Sequence, residues 1–193
     1  MTEAEQLPGS FFEDLYRRDN DPWNFATDPY EQHRYDVTIT QLPRAAYARA
    51  FEPACSIGAL TERLAARCES LVATDAAPTA VAEARRRCQR FRHVDISCGA
   101  VPSVWPAGRF DLIVLSELGY YFTPPALERL RDKVIDSLEP GGDLLAVHWR
   151  GTSTDHKLSG DEVHRILGDS PALQPLPAQS HVEDAFRLEA WRK

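Results

Sequence analysis

Residues 51–61 read FEPACSIGALT, and the helix-like run ERLAARC follows directly. A short apolar run that ends in a turn and continues as a helix predicts a strand–loop–helix ligand site, because ligands bind at the carboxyl ends of strands in open parallel sheets. The small residues Ala54, Ser56 and Gly58 let the backbone approach a ligand closely, and that backbone supplies amide donors. Only one of the three is glycine, however. The loop is either a nucleotide-binding loop or an ordinary turn, and the surrounding sequence has to decide.

Apolar runs and helical runs alternate around this loop. Near-continuous apolar strands that alternate with helices predict a parallel sheet covered on both faces. The connection at 98–109 is rich in turn formers, so no helix is expected there. The strand-like runs lie at 47–53, 70–74, 92–97, 110–115 and 143–149, and the helical runs at 60–68, 78–91 and 124–138.

The two ends of the chain differ from this pattern. Ser10 and Glu13 match a capping box for an amphipathic first helix, and a second helix is expected from Pro29 to about residue 41. A short helix at 159–168 precedes a strand-like run at 185–193. The segment that joins the helix to this run contains prolines at 175 and 177, which cannot donate to a sheet ladder, so this segment, if it is a strand, is expected at a sheet edge.

We therefore predict a single domain over residues 1–193, with a helical lid (1–43) on a cofactor-binding sheet (44–193). The fold class is α/β: a Rossmann-like, doubly wound, mostly parallel sheet of about seven strands with an antiparallel C-terminal strand.

Composition excludes several classes of function. The net charge of −7 and the pI near 5.4 disfavour binding to nucleic acid. No apolar run reaches the roughly 18 residues of a membrane helix, and no signal-peptide pattern opens the sequence. The four cysteines form no CxxC pair, so we expect no metal site and a reduced, cytoplasmic protein. Oligomeric state is not predicted.

Acidic residues at two strand ends indicate the kind of ligand. Asp75 ends the second strand, where a carboxylate can accept both hydroxyls of a ribose, and Glu52 adds a second negative charge. Two acids without a nearby lysine suit a cationic nucleoside that lacks phosphate, which points to S-adenosylmethionine. A nicotinamide-dependent oxidoreductase would need G-x-G-x-x-G, whereas this loop reads A-C-S-I-G-A. The plainer alternative is a glycine turn with Asp75 as a helix cap.

Several stretches together resemble class I S-adenosylmethionine-dependent methyltransferases and, more narrowly, the nodulation protein S family. The resemblance implies transfer of a methyl group to a small-molecule acceptor, with S-adenosylhomocysteine as the other product. The family's namesake methylates the amine of a glucosamine unit, so an amine nitrogen is the expected acceptor. An O-methyltransferase and a non-catalytic cofactor-binding partner protein stay open. The stretches are DPWNF (21–25), YEQHRY (30–35), EPACSIGALTERLA (52–65), FDLIVLSELGYY (110–121) and HWRG (148–151).

The same resemblance implies a set of cofactor-binding residues. Ala54 and Ser56 stand where relatives have glycine, and Ala100 stands where many carry an acid for the adenine, so backbone groups are expected to serve there. The implied set is Glu52, Ala54, Cys55, Ser56, Gly58, Thr61, Asp75, Ala76, Gly99, Ala100, Val101 and Ser116.

Three residues of the lid are further candidates for the cofactor site. Trp23 and Tyr30 would either cover the cofactor or pin the lid helices onto the sheet. Arg34 could pair with the carboxylate of the cofactor.

The acceptor side offers candidates for proton transfer. A neutral imidazole suits removal of a proton near neutral pH, so His148 is the first candidate for the base and Glu117 the second. His148 could instead be a hydrogen-bonded structural residue, and Glu117 could instead orient the acceptor or bind the amino group of the cofactor. The residues expected to shape the acceptor pocket are Tyr120, Tyr121, Trp149, Arg150 and His164, although His164 could equally cap its helix.

Overall fold

The computed structural model describes residues 5–193. The helices are α1 (Gly9–Arg18), α2 (Pro29–Thr40), α3 (Ala59–Leu64), α4 (Pro78–Cys88), α5 (Pro124–Ser137) and α6 (Gly160–Gly168). The strands are β1 (Ala50–Pro53), β2 (Leu71–Asp75), β3 (Val94–Cys98), β4 (Phe110–Ser116), β5 (Leu138–Trp149), β6 (Gln174–Pro175), β7 (His181–Val182) and β8 (Phe186–Arg192).

All these strands form one sheet in the order β3-β2-β1-β4-β5-β8-β6, with β7 also paired to β8. The first five strands are parallel, and β8 runs antiparallel to β5. The strand order reverses between β1 and β4, which creates the crevice where doubly wound sheets bind ligands. The predicted α/β fold with an antiparallel C-terminal strand is confirmed, and Pro175 lies in the edge strand β6 as expected.

The central strands are buried on both faces, which explains their continuous apolar sequence. In β4, Ile113 belongs to the core beneath α5 and α6, whereas Leu112 and Val114 belong to the core on the opposite face. All three side chains are fully buried. Burying one such side chain stabilises the fold by about 1.5–3 kcal/mol, so these two layers fix the sheet that carries the site.

The start of α1 differs from the prediction. Its N-cap is Pro8 and no side chain caps it, so the expected capping box between Ser10 and Glu13 is wrong. The Glu13 carboxylate instead accepts hydrogen bonds from the Thr79 amide (3.0 Å) and hydroxyl (2.8 Å) at the start of α4. The first amides of a helix need acceptors, and here α1 provides one for α4.

The end of α5 is not set by the two glycines that follow it, Gly141 and Gly142. The helix ends at Ser137 and the chain passes directly into β5. Both glycines lie within β5, next to a register shift in its pairing with β4, and Gly141 has φ +79°. Glycine here accommodates an irregularity within the strand rather than a helix stop.

Three further observations concern the part of the chain that the structure describes. None of its helices is long and apolar enough to cross a membrane. No group of three His, Cys, Asp or Glu side chains is arranged there to hold a metal ion. All four cysteines are free thiols.

Candidate functional site

A cavity of about 450 Å³ lies at the carboxyl ends of β1, β2 and β4. This is the point where the strand order reverses, and the N-terminal segment covers it. The lining is largely aromatic, so a bound ligand would be held away from water. The aromatic residues of the wall are Phe11, Phe12, Tyr16, Trp23, Phe25, Tyr30, Tyr35, Tyr120, Tyr121, Phe122 and Trp149.

The loop between β1 and α3 bends tightly against this cavity. Ala54, Ser56 and Gly58 all have left-handed backbone, with φ of 58°, 53° and 79°. A side chain at Gly58 would place its Cβ only 3.0 Å from the Cα of Ala84 in α4. The left-handed conformation costs a non-glycine residue about 1–2 kcal/mol. The chain thus forms the bend of a glycine-rich loop with two non-glycine residues, and Ala54, Cys55 and Ser56 line the cavity.

Asp75 ties two of the loops together. One carboxylate oxygen accepts a hydrogen bond from the Ser56 amide (2.8 Å) and the other from the Ala77 amide (2.9 Å). Burial raises the pKa of Asp75, and these amide hydrogen bonds partly offset the rise. Each carboxylate oxygen has a second lone pair, and Asp75 lines the cavity. The carboxylate can therefore organise the loops and still accept hydroxyl groups of a ligand.

Glu52 brings an unpartnered carboxylate oxygen to the cavity. The residue is 2% exposed, and burial raises its pKa to about 8. Its Oε2 has no hydrogen-bond partner among residues 5–193. Thr61 is fully buried, and its Oγ1 also lacks a partner with hydrogen-bond geometry among the described residues, although its hydroxyl is close enough to oppose the rise in the Glu52 pKa. Gly58 and Thr61 do not line the cavity. They shape it from behind rather than contacting a ligand.

Arg34 brings unpartnered donors of the opposite sign. It is 1% exposed and lies in an ion-paired group with Glu31 and Glu117, whose Oε1 is 2.7 Å from Arg34 Nη1. Burial alone lowers the pKa of Arg34, but the two carboxylates raise it above its usual value. Within the described chain, Arg34 Nε has no hydrogen-bond partner, and the Nη1 contact lacks hydrogen-bond geometry. Arg34 lines the cavity, and these two buried nitrogens are its donors without a complete hydrogen bond.

Glu117, at the end of β4, is held by three donors. Its Oε1 accepts from the Trp149 amide (2.7 Å) and pairs with Arg34, while Oε2 accepts from the Tyr120 hydroxyl (2.7 Å). Its backbone is left-handed, with φ 54°. The carboxylate lines the cavity, but its geometry suits anchoring the wall better than receiving a proton.

His148 lies behind the cavity wall, which corrects its predicted role. The side chain is fully buried and does not line the cavity. Its Nε2 accepts from the Gly119 amide (3.0 Å), which assigns the ring proton to Nδ1, and Nδ1 lies 3.2 Å from His164 Nε2. Burial holds the pKa of His148 well below its usual value. Both nitrogens are engaged, so His148 cannot take a proton directly from a bound acceptor.

His164 and Arg150 also lie away from the cavity. His164 is 2% exposed and its Nδ1 contacts Glu189 (2.9 Å) rather than capping α6, which Ser159 caps. Arg150 pairs with Asp161 (3.1 Å) and donates to the Glu183 carbonyl (2.7 Å). Their predicted contact with an acceptor is therefore corrected as well.

The sequence analysis missed His156, which does line the cavity. It lies in the loop between β5 and α6, with its ring stacked on Tyr120 (centroids 3.8 Å apart) and edge-on to Tyr121 (5.2 Å). Burial lowers the pKa of His156, while Glu117 and Asp155 act in the opposite direction. The loop has no periodic sequence pattern from which its position could be predicted. The one sequence feature that could have indicated His156 was its place in the loop that follows a strand.

The remaining candidates gather around the same cavity. Tyr16 of α1 contacts the Ser56 hydroxyl, and Trp23 stacks near Phe25 (5.5 Å). Tyr30 donates a hydrogen bond to the Ala185 carbonyl (3.4 Å). The cavity thus combines lid, loop and strand ends. Lining residues from the predicted sets also include Ala76, Gly99, Ala100, Val101, Ser116, Tyr121 and Trp149.

Comparison with known proteins identifies the family. The model of the nodulation protein S (NodS) family matches residues 11–145, which span β1–β4 and the cavity loops. The chain belongs to the nodulation protein S family. Nodulation protein S of Rhizobium tropici is 33% identical over 128 residues, which are 65% of this chain and 54% of that protein. The chain thus spans about half the length of the curated relatives it matches.

Solved structures agree with the family assignment. A crystal structure from Pseudomonas syringae, provisionally named a methyltransferase, is 40% identical with a TM-score of 0.75 and covers 85% of this chain and 99% of that chain. The N-methyltransferase NodS from Bradyrhizobium japonicum WM9, in complex with S-adenosyl-L-homocysteine, has a TM-score of 0.83 at 24% identity, covering 97% of this chain and 99% of that chain. The second likeness shows that the NodS fold extends over nearly the whole chain.

Proposed function

We propose that this member of the nodulation protein S family is an S-adenosylmethionine-dependent methyltransferase whose acceptor is the amine nitrogen of a small molecule. The observation that carries the proposal is that two buried residues lining one cavity hold polar atoms without a hydrogen-bond partner among the described residues: Arg34 at Nε and Nη1, and Glu52 at Oε2. Leaving such groups unpaired is costly. A ligand with a carboxylate and an ammonium group would satisfy both, and the amino-acid end of S-adenosylmethionine carries these two groups.

The rest of the cavity fits the nucleoside end. Asp75 can accept the ribose hydroxyls with its remaining lone pairs. Gly99, Ala100 and Val101 contribute wall without an acidic side chain, so backbone groups would contact the adenine. Aromatic faces attract a sulfonium cation. When bound, S-adenosylmethionine supplies an electrophilic methyl group on that sulfonium.

The protein's own contribution is alignment and exclusion of water. The aromatic wall keeps solvent from the reacting atoms, and Glu117 fixes the strand end through Arg34, Tyr120 and the Trp149 amide. Holding an acceptor in line with the methyl group accounts for much of the rate of such a reaction. Tyr121 and Trp149 form the part of the wall that would face the acceptor.

The charge of the lining favours an amine acceptor. Among the described lining residues, the basic side chains are Arg34 and His156, and Arg34 is already paired with two carboxylates. An acceptor with a phosphate or carboxylate would find no free cation there. Aromatic side chains also suit the apolar face of a sugar, so an amino sugar is the first acceptor to test. The N-methyltransferase activity of NodS supports this choice.

The proposed cellular setting is the cytoplasm. All four cysteines are free, which supports the proposal that the enzyme works in the reducing cytoplasm.

Calorimetric titration with S-adenosylmethionine, S-adenosylhomocysteine and NAD, followed by a labelled-methyl assay over amino sugars, small amines and phenols, tests the proposal. We expect both adenosyl compounds to bind, NAD not to bind, and label to appear on an amine. Binding of NAD alone would contradict the cofactor assignment. Label on phenols alone would make the protein an O-methyltransferase, and cofactor binding without any transfer would make it a non-catalytic partner.

A further inference from the structure

We propose that His156 is the proton acceptor for the methyl-accepting amine, an inference that rests on the proposed function. The residue lies in the loop that joins β5 to α6 and lines the same cavity as Glu117, Tyr121 and Trp149. Tyr121 follows β4 and Trp149 ends β5, and in the sheet β5 lies on the other side of β4 from β1, whose following loop would hold the cofactor.

The position of the His156 ring is fixed by aromatic neighbours. It stacks on Tyr120 with centroids 3.8 Å apart and planes 15° apart, and it meets Tyr121 and Trp149 edge-on at 5.2 Å and 6.0 Å. None of these ring contacts engages a nitrogen in a hydrogen bond. The ring is thus oriented, and neither ring nitrogen has a hydrogen-bond partner among residues 5–193, so both can meet a ligand as a general base requires.

Charges around the ring keep it ready to accept a proton. Burial lowers the pKa of His156, so the ring is neutral near pH 7, and the Glu117 and Asp155 carboxylates stabilise the imidazolium once it forms. The phenols of Tyr120 and Tyr121 face the ring, and burial raises the pKa of each. His148 behind the wall stays neutral because burial lowers its pKa.

The other candidates are less well placed. The Glu117 oxygens already accept two hydrogen bonds and form an ion pair with Arg34, and both His148 nitrogens are engaged. Asp155 lines the cavity but is exposed, so solvent would compete for its proton. His156 combines a place in the wall, partial burial and free nitrogens.

The proton and electron balance is simple. The N–H bond of the acceptor ammonium breaks and its proton moves to a His156 nitrogen, leaving a neutral amine with a lone pair. That lone pair forms the new N–CH₃ bond while the methyl–sulfur bond breaks and its electrons return to sulfur. The products are a methylated ammonium, a thioether and imidazolium, and the imidazolium releases its proton to solvent.

The test compares wild type with His156→Phe, which keeps an aromatic ring on Tyr120, and with His156→Gln, which keeps polarity. The probe is the amine methylated fastest by wild type in the labelled-methyl screen. We expect kcat to fall by about a hundredfold or more in both variants, with calorimetric affinity for S-adenosylhomocysteine unchanged. The wild-type kcat/KM should fall at acidic pH with an inflection below 6.5, the usual histidine pKa, and the variants should lack this inflection.

His181→Gln is the matched control, because His181 lies on the edge strand β7 outside the cavity; its kcat and pH profile should match wild type. If wild type methylates the amine and His156→Phe and His156→Gln keep both kcat and the acidic inflection, this inference alone is overturned. Loss of cofactor affinity in both variants would assign His156 a structural role and overturn it too. If wild type binds cofactor but methylates no amine, the proposed function fails and this inference fails with it.

Discussion

Glu52 shows, at the scale of one residue, how a binding site costs stability. A glutamate in the unfolded chain has a pKa near 4.5, whereas burial raises the pKa of folded Glu52 to about 8. Between these values the folded protein keeps a proton that the unfolded chain has lost. The free energy of unfolding therefore falls as pH rises through this window. A cationic ligand beside Glu52 would stabilise the ionised carboxylate and so offset this loss of stability.

We expect Glu52→Gln to stabilise the ligand-free protein relative to wild type as pH rises from 4.5 to 8, by up to a few kcal/mol at the upper end. The same substitution should weaken S-adenosylmethionine binding and remove the contribution of Glu52 to its pH dependence. Urea unfolding and calorimetry at matched pH values measure the two effects. A variant that is less stable than wild type at pH 8, with unchanged affinity, would show that Glu52 is neither strained nor part of the site.

Ala54 provides a second test at this scale. Its φ of 58° strains alanine but not glycine. Ala54→Gly relieves this strain and also increases the conformational entropy of the unfolded chain, which opposes the gain. The net free energy of unfolding should rise by about 0.5–1 kcal/mol. Chemical denaturation measures it. The matched control is Ala82→Gly at an exposed position in the interior of α4. This substitution should lower the free energy of unfolding by about 1 kcal/mol. Equal losses in both variants would mean that the loop backbone is not left-handed.

Most residues that the sequence suggested for a cofactor site line the one cavity described above, whereas His148, its first candidate for the base, does not. The end of a strand is visible in sequence, so Asp75 and Glu117 were found. Whether a side chain at a strand end reaches the cavity depends on the face of the strand on which it lies. His148 lies on the face of β5 that packs against α6, together with Leu144 and Ala146, and therefore does not reach the cavity. His156 was missed because an irregular loop has no period from which its position could be derived.

At the scale of elements, α1 is held over the cavity by a few contacts. Glu13 joins it to the start of α4 through Thr79, and Tyr16 joins it to Ser56. The helix is short, and Tyr16 is its one fully buried side chain. Helices attached in this way open at low cost, so α1 is the natural route for cofactor exchange.

We expect Glu13→Ala to raise the dissociation rate of S-adenosylhomocysteine several-fold, because the substitution removes two hydrogen bonds that hold α1 to α4. Stopped-flow displacement measures the rate. Asp14→Ala, an exposed change on the same helix, is the matched control and should leave it unchanged. Identical rates for wild type and Glu13→Ala would show that α1 does not limit release.

The elements themselves were predicted unevenly, for physical reasons. The runs that became β2, β4 and the second half of β5 are largely apolar because they are buried on both faces, whereas the edge strand β3 is mostly half-buried or exposed. The strands β6 and β7 contain two residues each, too few for any pattern. The Ser10–Glu13 box failed because Thr79, distant in sequence, offered Glu13 better donors than the start of its own helix did.

At the scale of the whole molecule, the fold places opposite charges around one ligand-sized space. Arg34 comes from the second lid helix, Glu52 from the first strand and Asp75 from the second. No local pattern predicts that these three meet, but the topology of a doubly wound sheet does. The shared fold with NodS follows from the same arrangement of strands.

A crystal structure of the protein with S-adenosylhomocysteine tests this arrangement most directly. We expect the ribose hydroxyls within hydrogen-bond distance of Asp75, the carboxylate of the ligand at Arg34 and its amino group at Glu52. A ligand bound outside this cavity, or one whose amino-acid end lies away from both Arg34 and Glu52, would contradict the account.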